Sequence, residues 1–143
     1  MRLCLFACAL AIHLCSSAWS EEPKGTDLDG VWRAETAELA GAAFPESVRK
    51  AIQLEIKGGS YTVTIGKSID KGSLKRDDST KPRSLDIVGE EGPNKGRTIL
   101  AIWERKGDTL QICYDLSGKN RPTEFESQEK TQLFLVTYKR QSP

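Results

Sequence analysis

Apolar and polar residues alternate strictly in two neighbouring stretches. Ile52, Leu54 and Ile56 alternate with Gln53, Glu55 and Lys57, and Tyr61, Val63 and Ile65 alternate with Thr62 and Thr64. A period of two sends one set of side chains into a core and the other into water, which predicts β-strands over 52–57 and 60–65. Gly58 and Gly59 stand between them and supply the positive φ angles of a tight hairpin turn. From Gly30 onward the texture repeats. Short runs rich in Val, Ile, Thr, Tyr and Leu, each bounded by Gly, Pro, Asn or Asp, predict further strands over 30–38, 69–76, 84–88, 97–105, 109–115 and 132–140. Gly66 with Lys67 forms one more turn, and Lys106, Gly107 and Asp108 form a three-residue turn, so most sequence neighbours are hairpin partners. Sequential antiparallel strands in this number close on themselves because closure removes the exposed edges. The predicted fold is all-β, an eight-stranded up-and-down antiparallel barrel.

One stretch breaks the pattern. Over 44–51, Pro45 occupies a first helical position, Glu46 the first turn, and Arg49 with Lys50 the last, charges that suit a helix dipole. Preceded by the small residues Ala40 to Ala43, it predicts a short helix crossing one barrel mouth. Two strands are apolar on both faces: Leu100 and Ile102 against Ala101 and Trp103, and Leu133 and Leu135 against Phe134 and Val136. One face of each must line the interior, and the other needs cover from the helix or from a partner.

The first twenty residues differ in composition. Arg2 is followed by an uncharged, mostly apolar run from Leu3 to Leu14, then by Ser16, Ser17, Ala18, Trp19 and Ser20. Ala18 and Ser20 occupy the two positions at which a signal peptidase requires small residues, so 1–20 reads as a cleaved signal peptide with the cut before Glu21. The run is shorter than the roughly 20 apolar residues of a membrane span, and nothing downstream approaches that length. Cys4, Cys8 and Cys15 invite a lipoprotein reading, but Cys15 follows Ile12, His13 and Leu14 rather than small residues, and Cys8 leaves too short an apolar core. The expectation is export to the periplasm or beyond as one domain, 21–143, without a lipid anchor.

Cleavage removes Arg2 from 21 basic residues and leaves 20 against 20 acidic ones. A neutral, sign-mixed surface argues against nucleic acid, which demands a basic stripe. Cleavage also removes three of the four cysteines and the only histidine, His13. Cys113 then has no intrachain partner, and the domain depends on its apolar core rather than on disulfides.

Gly30-Val31-Trp32 opens the first strand, and Tyr138-Lys139-Arg140 closes the last. This pairing resembles the lipocalin superfamily, in which a Gly-x-Trp places its indole across the barrel floor under a basic side chain of the last strand. The resemblance implies floor roles for Gly30, Trp32, Lys139 and Arg140. Almost the whole mature chain also resembles a family of small exported planctomycete proteins of unknown function, described as lipocalin-like. The matching segments are Leu28-Asp29-Gly30-Val31-Trp32, Leu54-Glu55-Ile56-Lys57-Gly58, Tyr61-Thr62-Val63, Gly92-Pro93-Asn94-Lys95-Gly96, Asp108-Thr109-Leu110-Gln111-Ile112-Cys113 and Arg121-Pro122-Thr123-Glu124-Phe125. That resemblance implies a calycin-like barrel and export, and carries over no catalytic residue.

The mature chain is poor in catalytic equipment. Without histidine, Ser-His, Cys-His and His-ligated metal chemistry are excluded in their common forms. The acidic pairs Glu90 with Glu91 and Asp77 with Asp78 read as solvated turn residues, and Cys113, mid-strand, as a structural thiol. Gly92 to Thr98 holds Lys95, Gly96 and Arg97, yet lacks P-loop spacing and reads as a β-turn. Asp77 to Thr80 lacks the ligand alternation of a calcium loop. No catalytic residue, metal or cofactor is therefore expected. An eight-stranded barrel is either filled by its own side chains or holds one small ligand. The leading expectation is a non-enzymatic binding protein for a small apolar molecule, lined by Tyr61, Val63, Ile102, Trp103, Tyr114 and Phe134. The alternative is a filled barrel that meets a protein partner or the cell envelope.

Overall fold

The computed structural model describes residues 28–142, so the expected leader and its cut before Glu21 lie outside the described residues. The elements are β1 (Gly30–Leu39), β2 (Ala42–Ala43), α1 (Glu46–Arg49), β3 (Ile52–Lys57), β4 (Ser60–Ile65), β5 (Ser68–Asp77), β6 (Arg83–Glu91), β7 (Thr98–Lys106), β8 (Thr109–Asp115) and β9 (Leu133–Arg140). Strands β3 to β9 pair antiparallel in sequence order, β3 pairs with β1, and β9 returns to β1. The result is a closed eight-stranded antiparallel barrel, with β2 as a two-residue addition paired to the end of β1.

The hairpin of β3 and β4 has the expected register, Leu54 opposite Val63 and Ile56 opposite Tyr61. Gly58 and Gly59 turn it with φ of 57° and 82°. The turn between β7 and β8 is shorter than predicted, because Lys106 pairs with Thr109. Only Gly107 and Asp108 remain between them, with φ of 58° at Gly107, as a two-residue turn with glycine first requires. Strand β6 runs past its predicted end through Gly89 and Glu90 to Glu91. These residues carry no apolar alternation, and the register opposite Lys71 and Gly72 slips there, leaving Glu90 as an extra residue.

The predicted helix shrinks to one turn. Pro45 caps it with φ −58° and ψ 152°, and Glu46–Arg49 buries no residue. Eight residues are too few to hold a helix without a packed face, and Val48, its one large apolar side chain, is 40 % exposed. The small residues before it form a different structure. Ala40 and Gly41, with φ of 52° and 79°, turn β1 into β2. Arg49 reaches back to donate to the carbonyl of Glu35, the residue skipped where the β1 register against β9 shifts between Ala34 and Thr36.

Strand alternation sends Trp32, Leu54, Ile56, Leu85, Ile87, Ile99, Ala101, Trp103, Ile112, Val136 and Tyr138 into one buried cluster. The outward positions of β3 and β4, Gln53, Glu55, Lys57, Thr62 and Thr64, are polar. No helix among the described residues is long and apolar enough to cross a membrane.

The outer face of β7, together with Cys113 of β8, lies under the connection 116–132, not under the helix. Arg121 anchors that connection: its guanidinium donates to the carbonyls of Ala101 at 2.8 Å and Leu85 at 3.3 Å and pairs with Asp86 at 2.5 Å. Cys113 donates to the carbonyl of Glu126 at 3.4 Å. Beneath this layer Ile102 and its register partner Cys113 are buried.

Candidate functional site

Opposite ends of the barrel are built differently. At one end lie the turns 58–59 and 107–108, the connection 78–82 and both termini of the described barrel. At the other lie α1, the turn 66–67 and the connections 92–97 and 116–132. The first end is a plugged floor. Trp32 and Arg140 are register partners, and the Arg140 guanidinium carbon stands 4.4 Å from the centre of the Trp32 ring. Arg140 also donates to the Asp29 carbonyl at 2.7 Å, and the indole N–H of Trp32 donates to Leu28 at 2.9 Å. Gly30 has φ of 143°, and a Cβ there would lie 3.0 Å from the Arg140 guanidinium. Lys139 does not share the floor role expected of it. It pairs with Arg33 on the outer face and is exposed, because adjacent residues of a strand point to opposite faces. A second indole, Trp103, completes the floor, with Arg76 and Arg83 at 4.7 Å and 5.1 Å from its ring centre.

Above this floor the barrel is hollow. A cavity of about 270 Å³ runs up to the other end. Its walls are Ile52, Leu54, Ile56, Val63, Leu74, Leu85, Ile87, Ile99 and Ile112, with Ile65, Pro93, Arg97, Leu116 and Phe134 towards the mouth. Phe134 is held by rings on two sides, Tyr114 at 5.8 Å and Phe44 at 5.5 Å between centroids. The segment before α1 thus reaches the rim through Phe44, while α1 itself contributes no side chain to the cavity.

Several polar side chains enter this apolar space. Tyr61 donates to Asp70 at 2.9 Å, and Asp70 accepts two further bonds from Asn94, through its backbone N–H and its side-chain amide, each at 3.0 Å. Asp70 is therefore buried, at 8 % exposure, with its oxygens engaged. Gly72 makes this possible, since a Cβ there would stand 2.8 Å from the Tyr61 ring and 1.9 Å from the Val88 carbonyl. Deeper in, the hydroxyls of Tyr114 and Tyr138 meet at 3.0 Å. Burial raises the pKa of all three phenols. Tyr138 is pushed up to about 12, Tyr114 well above its ordinary value by burial and the neighbouring Tyr138, and Tyr61 upward by burial and the Asp70 carboxylate.

Of the residues expected to line a ligand site, the structure brings Tyr61, Val63, Tyr114 and Phe134 to the cavity. It places two elsewhere. Ile102 faces outward beneath the 116–132 connection, since its neighbours Ala101 and Trp103 take the inward positions of β7. Trp103 points inward but lies in the floor, below the cavity. Sequence reasoning missed Asp70, Asn94 and Tyr138. Asp70 continues the alternation of β5 inward and could have been found by extending that strand's period. Asn94 sits in a turn, and nothing local shows that the turn folds onto the rim.

Of the other candidates, the glycine-rich turn, Asp77 and Cys113 are engaged by the protein itself, and Glu90 and Glu91 are exposed. The Asn94 backbone N–H of the glycine-rich turn is committed to Asp70. Asp77 accepts from the backbone and hydroxyl of Ser79 at 3.0 Å and 2.5 Å, a local turn whose bonds hold its carboxyl below the usual range. Burial pushes the Cys113 thiol up, away from reactivity.

Comparison with protein-family models, with curated proteins and with solved structures returns no match for this chain.

Proposed function

We propose that this chain is an exported, non-enzymatic binding protein that takes one small, mostly apolar molecule inside its barrel. The observation that carries the proposal is the cavity, about 270 Å³ of space with aliphatic and aromatic walls above a plugged floor. An apolar cavity of roughly 150 Å³ is enough to bind benzene, so this one suits a molecule nearly twice that size. The hollow interior weighs against the alternative of a filled barrel serving a protein partner or the envelope. The leader pattern of residues 1–20 and the resemblance to exported lipocalin-like planctomycete proteins support export. A purely binding role agrees with the chemistry of the interior, where Asp70, the one carboxylate among the described residues lining it, is tied up by Tyr61 and Asn94.

Native mass spectrometry of the protein recovered after export from its own cells tests this reading. The expected result is an excess mass of a few hundred daltons at most, about what a cavity of this size admits, lost on denaturation. A bare mass, together with no binding of added apolar molecules of matching size, overturns it.

A further inference from the structure

The Tyr114 and Tyr138 pair holds a hydrogen-bond donor that none of the described residues uses. Each phenol carries one donor hydrogen. With the oxygens 3.0 Å apart, one hydrogen fills the contact between them. The other, on the hydroxyl that accepts, has no acceptor among the described residues. Both rings line the cavity and both are buried. Tyr61 differs, because its hydrogen goes to Asp70 and Asp70 is further engaged by Asn94. A buried donor without an acceptor is costly, and native structures rarely leave one so. A lone water fills the gap poorly, since a buried water makes about three hydrogen bonds and the walls around the pair are largely aliphatic.

The missing acceptor is uncharged. The cation that lines the cavity, Arg97, donates to the Leu116 carbonyl at 2.5 Å and to Asn94 at 3.3 Å, bonds made at the mouth. A carboxylate brought to the phenol pair would be buried without a counter-charge. Resting on the binding reading above, we infer that the cavity selects a neutral, largely apolar molecule of about a dozen non-hydrogen atoms, scaled from benzene in its smaller cavity, that presents one carbonyl or ether oxygen to the hydroxyls of Tyr114 and Tyr138.

Two probes of equal shape test this: methyl naphthyl ketone and isopropenylnaphthalene, which differ by an oxygen in place of a methylene. Titration calorimetry gives the affinity ratio of ketone to hydrocarbon for the intact protein and for the double variant Tyr114→Phe/Tyr138→Phe. The ratio falls by about tenfold in the double variant, the scale of one hydrogen bond. Each single variant keeps most of the preference, because the remaining hydroxyl is free to donate. A second readout needs no variant: the carbonyl stretching frequency of the bound ketone falls below its value in an apolar solvent. An unchanged ratio or an unshifted carbonyl overturns this inference and leaves the cavity as a plain apolar site. Failure of both probes to bind overturns the binding reading as well. Naphthoate binding as tightly as the ketone overturns the requirement for a neutral ligand.

Discussion

Trp32 and Arg140 close the barrel as a pair, the guanidinium carbon 4.4 Å from the indole centre and the two residues directly opposed on β1 and β9. Their positions in the chain, 32 and 140, make this contact a seam between the first and last strands of the described barrel. The cation gains from the ring's electron-rich face, and its alkyl stem shields the indole. Trp32→Ala removes a fully buried ring and is expected to cost about 3–5 kcal/mol in equilibrium denaturation. Arg140→Ala, which also loses the bond to Asp29, is expected to cost about 1–2 kcal/mol. A loss below about 1 kcal/mol for Trp32→Ala would mean that the indole does not plug the floor.

All three tyrosines of the chain, Tyr61, Tyr114 and Tyr138, resist ionisation in the folded state. An unfolded phenol titrates near pH 10. The folded protein therefore holds its phenolic protons more tightly, so stability is insensitive to these groups below about pH 10 and falls as pH rises from there towards and beyond about 12, the value to which Tyr138 is pushed. In a near-ultraviolet absorbance titration, phenolate signal is expected to be absent near pH 10 and to appear together with loss of the fold. Reversible ionisation of one tyrosine near pH 10 with the barrel intact would show that the corresponding ring is open to water.

Arg121 ties the 116–132 connection to the barrel through two backbone carbonyls and Asp86. Cys113 is fully buried under that connection. Its alkylation in the folded protein is expected to be slow, since reaction requires local opening. Arg121→Ala deletes charge-assisted hydrogen bonds and is expected to speed alkylation by about tenfold or more, the equivalent of one or two such bonds. Equal rates in the two proteins would show that the connection is held by other contacts.

How far the sequence could be read depended on whether a residue's role was set locally. Strands β3 and β4 were legible because Ile52 to Ile65 alternates on a two-residue period around paired glycines, and a buried face leaves a single register. The floor was legible through Trp32 and the basic end of β9, although period alone could not choose between Lys139 and Arg140 until their faces were known. Strand β7 was harder. Leu100 to Trp103 is apolar on both faces, so alternation carries no direction there, and the inward assignment of Ile102 failed because a distant loop, anchored by Arg121, buries the outer face. The helix was over-read because Pro45, Glu46, Arg49 and Lys50 satisfy end preferences without a packed face between them. The cavity itself depends on volume left among nonlocal side chains, and Asp70 with Asn94 meets only after the barrel closes.

The barrel is hollow and apolar above Trp32 and Trp103. A crystal of the protein held under xenon pressure tests this, because dry apolar cavities take up the gas. A xenon peak is expected inside the barrel among Val63, Ile112 and Tyr114. An interior filled by repacked side chains, with no xenon between Tyr61 and Phe134, would contradict it.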